Sequence, residues 1–365
     1  MSGAKVLIMA GGTGGHVFPA LALARSLRAA GVSVAWLGTA RGMEARVVPA
    51  EKIPLATISV VGLRGKGFAT LALAPLRLVR ALWQAIAVIR RVDPVLVVGL
   101  GGFASGPGGV AARLLRRPLF IHEQNAIAGF TNRVLAHLAS RVFEAFAGSF
   151  ATARRAETIG NPLREEFFRQ DPPSRRRQRD PGSLRLLVVG GSQGAARLNA
   201  IVPLAVAQLQ HKTHLSVRHQ TGDRWIEQAR NSYAKAGVEA ELLPFIGDMA
   251  ESYAWADLVI CRAGALTISE IAAVGVAAIL VPFPQATDDH QSHNARTLVR
   301  CGAAVLISDR ELNPERLARE IDRLAADRPG LARMAEQAGT LACPEATQRL
   351  RDACLGAIAA AGAGA

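Results

Sequence analysis

The sequence predicts an α/β chain built as two halves, each on a mostly parallel sheet, and three observations predict it. Short β-branched runs alternate with helix-like stretches along the whole length, the pattern of repeated strand–helix–strand units. Three of these runs stop at glycine-rich loops: Gly11-Gly12-Thr13-Gly14-Gly15-His16 after Val6–Met9, the segment 99–108 after Val95–Val98, and Gly190-Gly191-Ser192-Gln193-Gly194 after Leu184–Val189. The length of 365 residues allows two domains, each burying its own core.

The first half reads as strand Val6–Met9, helix Val17–Ala30 and strand Val32–Leu37, then an irregular stretch to about Gly67. A helix near Pro75–Arg91 leads into strand Val95–Val98, helix Gly109–Arg116, strand Leu119–Ile121, helix Phe130–Ala139 and strand Val142–Phe146. Asn161–Ser183 is polar, with Pro162, Pro172, Pro173, Pro181 and the run Arg175-Arg176-Arg177, and reads as a linker. The second half restarts with strands Leu184–Val189, Leu215–His219, Glu241–Leu243 and Leu258–Cys261. Helix Thr267–Val274, strand Ala277–Val281, a helix near Gln291–Arg300 and two Arg/Glu-rich helices follow, with a last helix after Pro344.

Composition narrows the function classes. Half the residues are hydrophobic and only 5% aromatic, which suits an Ala/Leu/Val-rich α/β enzyme. The formal charge of +14 is uneven: residues 1–160 hold 19 Lys/Arg against 6 Asp/Glu, and the rest 24 against 23. A uniformly basic nucleic-acid binder would not be divided in this way; one basic half points to an anionic surface met by that half alone. The four cysteines lack metal-ligand spacing and read as reduced, cytosolic thiols. The N-terminal residues run straight into a strand without a signal-peptide layout, and Gly and Pro interrupt the long uncharged stretches, so no membrane span is expected.

The loops also exclude chemistries. Neither the first nor the third meets the G-x-G-x-x-G dinucleotide fingerprint, and no Gly-Lys-Ser/Thr follows to make a Walker motif. No Asp-x-Asp triplet occurs, so no catalytic metal and no cofactor is expected. If a nucleotide diphosphate departs here, helix dipoles, loop amides and an arginine must carry its charge.

Polar clusters sit at the carboxyl ends of predicted strands, where open α/β sheets bind ligands. His122-Glu123-Gln124-Asn125 follows Leu119–Ile121, and Arg262–Glu270 follows Leu258–Cys261. Thr267 and Glu270 have an ordinary alternative as a capping box, and the cluster at 122–125 has one as a helix cap. A third polar end, Pro282–Gln291, follows Ala277–Val281. Separately, Leu76, Val79, Leu82, Trp83, Ile86 and Ile89 recur at helical spacing with Arg77, Arg80, Arg90 and Arg91 between them, behind Arg64-Gly65-Lys66-Gly67-Phe68. That is either a core-facing helix with a solvated basic face or a helix lying on anionic lipid; the basic first half favours the second reading, with Arg77, Arg80, Trp83 and Arg90 as membrane-binding residues.

The segments 11–19, 101–109, 122–125, 160–164, 190–195 and 262–270 together resemble the MurG family of bacterial peptidoglycan glycosyltransferases, over nearly the whole chain. The resemblance implies a GT-B architecture of two Rossmann-like domains facing a central cleft. Residues 1–162 would form the acceptor- and membrane-binding domain, with 344–365 packing back on it, and 163–343 the UDP-GlcNAc-binding domain. It implies inverting, metal-independent transfer of GlcNAc from UDP-GlcNAc to the C4 hydroxyl of undecaprenyl-pyrophosphoryl-MurNAc-pentapeptide (lipid I), giving lipid II. The setting would be the cytoplasmic face of the inner membrane, with cell-wall synthesis and division proteins as partners. Donor contacts by motif match are Thr13, Gly14, Gly15, Asn125, Arg164, Ser192, Ile246, Ala265, Leu266, Thr267, Ile268, Ser269, Glu270 and Gln291. Ile246 would lie beside the uracil and Glu270 on the ribose. A base must deprotonate the acceptor hydroxyl: His16 is the first candidate, with a loop-orienting hydrogen bond as its ordinary alternative, and Glu123 the second. Phe103 stands where relatives often carry Tyr, and His290 where some carry Gln. Two other readings keep the same donor residues: a UDP-sugar transferase acting on another lipid such as diacylglycerol, and a UDP-GlcNAc epimerase.

Overall fold

The computed structural model describes residues 4–60, 74–150, 155–176, 183–191, 194–210 and 215–363. They divide into two compact units, one of 1–163 with 345–365 and the other of 164–344.

The first unit is built on a parallel sheet of β1 (Lys5–Met9), β2 (Ser33–Gly38), β3 (Leu55–Thr57), β4 (Leu96–Gly99), β5 (Leu119–Glu123), β6 (Arg141–Glu144) and β7 (Ala156–Thr158). Its strand order is β3-β2-β1-β4-β5-β6-β7. β1 shows why the central strands are continuous apolar runs: Val6 and Ile8 enter one core with Trp36, Val98 and Phe120, while Leu7 and Met9 enter the opposite core with Leu37, Val97 and Ile121. Both faces of a parallel strand are covered, so the period-two pattern has no polar half. The helix Ala346–Ala363 completes the first of these cores with Leu350, Cys354 and Ile358.

The second unit repeats the plan with β8 (Leu184–Val189), β9 (Leu215–Gln220), β10 (Glu241–Leu243), β11 (Leu258–Cys261), β12 (Ala277–Leu280) and β13 (Ala304–Leu306), in the order β10-β9-β8-β11-β12-β13. In each sheet the order reverses beside its first strand, between β1 and β4 and between β8 and β11. Ligands of open α/β sheets bind at that switch point, outside the strands' carboxyl ends. All three glycine loops leave these four strands.

Several sequence expectations are corrected. The stretch after β2, read as irregular, contains the helix Glu44–Ala50 and the edge strand β3. The helix expected at Gly109 begins at Ser105, whose hydroxyl donates to the Met9 and Gly101 carbonyls and anchors its first turn. The proline-rich segment expected to be a linker is packed against the second unit over its described part. Phe167 is buried, and the Arg176 guanidinium donates to the carbonyls of Val274 (2.6 Å) and Gly275 (2.5 Å) and to those of Tyr253 and Ala254.

Candidate active site

In the first unit, two glycine loops meet at the β1/β4 switch point. Gly101 and Gly102 have φ of +95° and +86°, which only glycine adopts without strain. A Cβ on Gly102 would strike the Gly11 backbone, and one on Gly101 would lie 2.5 Å from His16 Nδ1. Thr13 starts the helix Gly14–Ala29 in an extended conformation with no side-chain cap and no acid in the first turn. Its N-terminal amides therefore point out of the β1 end with a positive dipole behind them. Thr13 is exposed and Gly14, Gly15 and His16 are half-buried, placing all four where a ligand can reach them.

A buried acid that the sequence reading missed holds this loop in place. Glu44 accepts from the amides of Gly12 (2.9 Å) and Thr39 (2.8 Å) and from the Thr39 hydroxyl (2.7 Å). Nothing in its local pattern marks it, since it sits in a short helix far along the chain from the loop.

At the end of β5, the cluster 122–125 is mostly turned inward. Glu123 accepts from the backbone amides of Asn125 (3.0 Å) and Gly129 (3.1 Å) and from the side-chain amides of Asn125 (3.0 Å) and Asn132 (2.8 Å). Both carboxylate oxygens are committed to the loop that follows and the group is buried. Glu123 is thus a loop anchor, which corrects its reading as an alternative base. It also fixes the Asn125 amide. His16 does touch this cluster, through Nδ1 and Gln124 Oε1 at 2.9 Å.

In the second unit, the helix Ala265–Val274 begins at Gly264, in an extended conformation and with no side-chain cap. The alternative reading of Thr267 and Glu270 as a capping box does not hold, because the helix is capped at Gly264, three residues earlier than that pattern requires. Its uncapped amides lie at the end of β11, the strand that pairs with β8; helices begun by Asp248, Asn313 and Asp327 do carry side-chain caps. Ile268 is withdrawn as a ligand contact: its side chain is buried and its amide bonds the Gly264 carbonyl. Ala265 and Leu266 are also buried and can offer a ligand only backbone. The Ile246 side chain is likewise buried, whereas Phe245 beside it is exposed. Ser192 lies outside the described residues, as do Gln193 and the basic lead-in at 64–68.

Glu270 is half-buried and accepts from the Tyr253 hydroxyl at 3.2 Å. Burial lifts its carboxyl to about 7, against the opposing effects of that bond and of Arg164. Arg164 itself lies over the Phe167 ring, 5.3 Å from its centroid. Gln291 Oε1 accepts from the amides of Ala263 (3.2 Å) and Phe283 (2.9 Å), clamping the ends of β11 and β12 and leaving the amide nitrogen as the end it can present to a ligand. Asn294, another residue not foreseen, donates to the Ala263 carbonyl from below the same loop. Among the described residues, no three His, Cys, Asp or Glu side chains gather to hold a metal ion.

The helix Ala74–Val92 reverses the usual polarity. Its packed face is Ala81, Ala85, Val88 and Ile89, while Leu76 (69% exposed), Val79 and Trp83 (65%) stand out among the exposed Arg77, Arg80 and Arg90. Phe130 and Leu114 of the same unit are exposed as well. No helix among the described residues is long and apolar enough to cross a membrane.

Comparison with known proteins gives the arrangement its context. Residues 6–144 match the glycosyltransferase family 28 N-terminal domain and 185–350 the family 28 C-terminal domain. The chain is 56% identical over 351 residues to the UDP-N-acetylglucosamine--N-acetylmuramyl-(pentapeptide) pyrophosphoryl-undecaprenol N-acetylglucosamine transferase of Nitrosococcus oceani, covering 96% of this chain and 98% of that protein. It is 55% identical over 350 residues to the protein of the same name from Alkalilimnicola ehrlichii, with the same coverage. Among solved structures, Acinetobacter baumannii MurG matches with a TM-score of 0.83 at 41% identity, covering 96% of this chain and 98% of that one. The chain has the GT-B architecture and belongs to glycosyltransferase family 28, within the MurG family that the sequence motifs resemble.

Proposed function

We propose that this protein transfers GlcNAc from UDP-GlcNAc to the C4 hydroxyl of lipid I, giving lipid II, with inversion and without a metal ion. The observation that carries this reading is the 56% identity, over 96% of the chain, to a relative bearing that name. The site chemistry supports it. The amides of Ala265, Leu266 and Thr267 at an uncapped helix start suit a pyrophosphate, with Arg164 and the Ser192 loop as further partners. Glu270, ionised, would accept both ribose hydroxyls, and the Ile246 backbone would meet the uracil. Gln291 and Asn125 would read the sugar hydroxyls, with Ser269 at the loop's far end. Thr13, Gly14 and Gly15 would offer amides from the first unit. As the C4 oxygen bonds to the anomeric carbon, His16 would take its proton while the electron pair of the breaking bond leaves on UDP.

The exposed Leu76, Val79 and Trp83 among arginines support peripheral attachment to anionic lipid through the first unit, at the cytoplasmic face where the nucleotide sugar is available. Incubation of the purified protein with UDP-GlcNAc and a lipid I analogue, in excess chelator, tests the reaction. Disaccharide product is expected. Product only after added magnesium overturns the metal-free chemistry, and loss of donor without acceptor would indicate epimerisation instead. Binding to vesicles of anionic lipid should drop when Arg77, Arg80 and Arg90 are reversed to Glu; unchanged binding removes the membrane reading.

A further inference from the structure

Behind His16 lies a chain of hydrogen bonds that the transfer reaction, as described, does not use. His122, on β5 and fully buried, places Nε2 2.9 Å from the Gly160 carbonyl oxygen. A carbonyl only accepts, so Nε2 carries the proton. Burial holds this imidazole neutral, its pKa pushed down to about 4, so Nδ1 is an unprotonated acceptor. The Gln124 side chain, also buried, brings its amide nitrogen to 3.2 Å from that Nδ1 and 3.2 Å from the His122 carbonyl oxygen. Both amide hydrogens are thereby used on acceptors, and a flipped amide would set oxygen against oxygen. The amide oxygen is left facing His16 Nδ1 at 2.9 Å. The segment is held at its backbone as well, since Asn161 donates to the Gln124 carbonyl at 3.1 Å.

The polarity of the whole chain is set by two backbone carbonyls, and it ends by requiring a donor at His16 Nδ1. We infer that Gln124 and His122 are positioning residues that hold neutral His16 in its Nδ1–H tautomer, so that its basic lone pair lies on Nε2. Imidazole side chains free in water favour the opposite tautomer, with Nε2 protonated and unable to take a proton. The relay therefore turns a poor acceptor into one aimed away from the β5 cluster. The His16 ring occupies the space that a Cβ on Gly101 would need, 2.5 Å from Nδ1. Its use in catalysis rests on His16 being the base; the tautomer itself does not.

The test is a two-bond proton–nitrogen correlation spectrum of the full chain labelled with nitrogen-15 histidine, recorded on the alkaline side of the imidazole titration, with His16→Gln and His122→Gln spectra for assignment. His16 is expected to show a protonated Nδ1 and a bare Nε2, and His122 the reverse. A His16 signal with protonated Nε2 overturns the inference. In Gln124→Leu, His16 should revert to the Nε2–H form while His122 keeps its own pattern, which also reports an intact fold. There kcat should fall at least about tenfold with little change in KM for UDP-GlcNAc. A Gln124→Leu protein whose His16 stays Nδ1–H shows that the relay does not set the tautomer. If instead His16→Ala turns over normally while the spectra are as expected, His16 is removed as the base and the relay stands.

Discussion

The ribose contact proposed for Glu270 works against the stability of the second unit, and substituting the residue exposes that conflict. Burial raises its carboxyl from 4.5 to about 7, so the folded chain holds this proton more tightly than the unfolded chain. The sign follows: the associated stability is complete below the unfolded pKa and is lost as pH rises through the folded one. A gap of that size corresponds to about 3 kcal/mol, so the ionised carboxylate costs the native state about that much near pH 8. Glu270→Gln keeps an oxygen for the Tyr253 hydroxyl and removes the charge. The variant should therefore melt higher than the parent by roughly 6–12 °C near pH 8, with the gap shrinking to a small fraction near pH 5. Binding should move the other way. Uridine, which does not titrate in this range, should bind the parent progressively more weakly as pH falls below about 7, and bind the variant weakly at every pH. Paired calorimetric melts and uridine titrations at both pH values measure this. An equal melting difference near pH 5 and pH 8 would refute the reasoning, since it would show that the buried charge is not what the substitution removes.

Other consequences can be measured directly. Glu44→Ala removes three hydrogen bonds to a buried carboxylate and should cost about 3 kcal/mol by denaturant titration. A change below about 0.5 kcal/mol would show that the first loop does not depend on it. Gly101→Ala puts a Cβ against the His16 ring at a φ of +95°, so kcat should fall about a hundredfold without loss of UDP binding; near-normal turnover would exclude His16 from the chemistry. Arg176→Ala strips the guanidinium from four backbone carbonyls and should lower stability by about 2 kcal/mol, whereas an unchanged melting curve would mean that the segment before β8 is not structurally tied to the second unit.

The central strands were legible because a strand buried on both faces must be apolar, and β11 and β12 are so throughout while β1 and β8 depart from it only at Lys5 and Arg185. The three-residue edge strands β3, β7 and β13 were not, since each carries too little pattern to stand out, although β10, equally short and also at an edge, was. Site positions at strand ends were legible from the glycines and the polar residues after them. The roles of those residues were less so. Glu123 and Asn125 look alike in sequence as exposed polar groups, yet the carboxylate is spent on four donors within its own loop. The helix cap at Gly264 rather than Thr267 decides between a capping box and a helix start with free amides, and a shift of three residues lies within the ambiguity of any local pattern. Glu44 and Gln124 act through partners 32 and 108 positions away, where no local signal reaches.

The packing of the helix Ala346–Ala363 into the first core has a consequence for biosynthesis. Leu350, Cys354 and Ile358 fill a layer whose other members precede residue 160. A ribosome thus releases the whole second unit before the first can close over its hydrophobic interior. Folding in order of synthesis is denied to the half that emerges earliest, which must wait with one face open until residues 346–363 have left the ribosome.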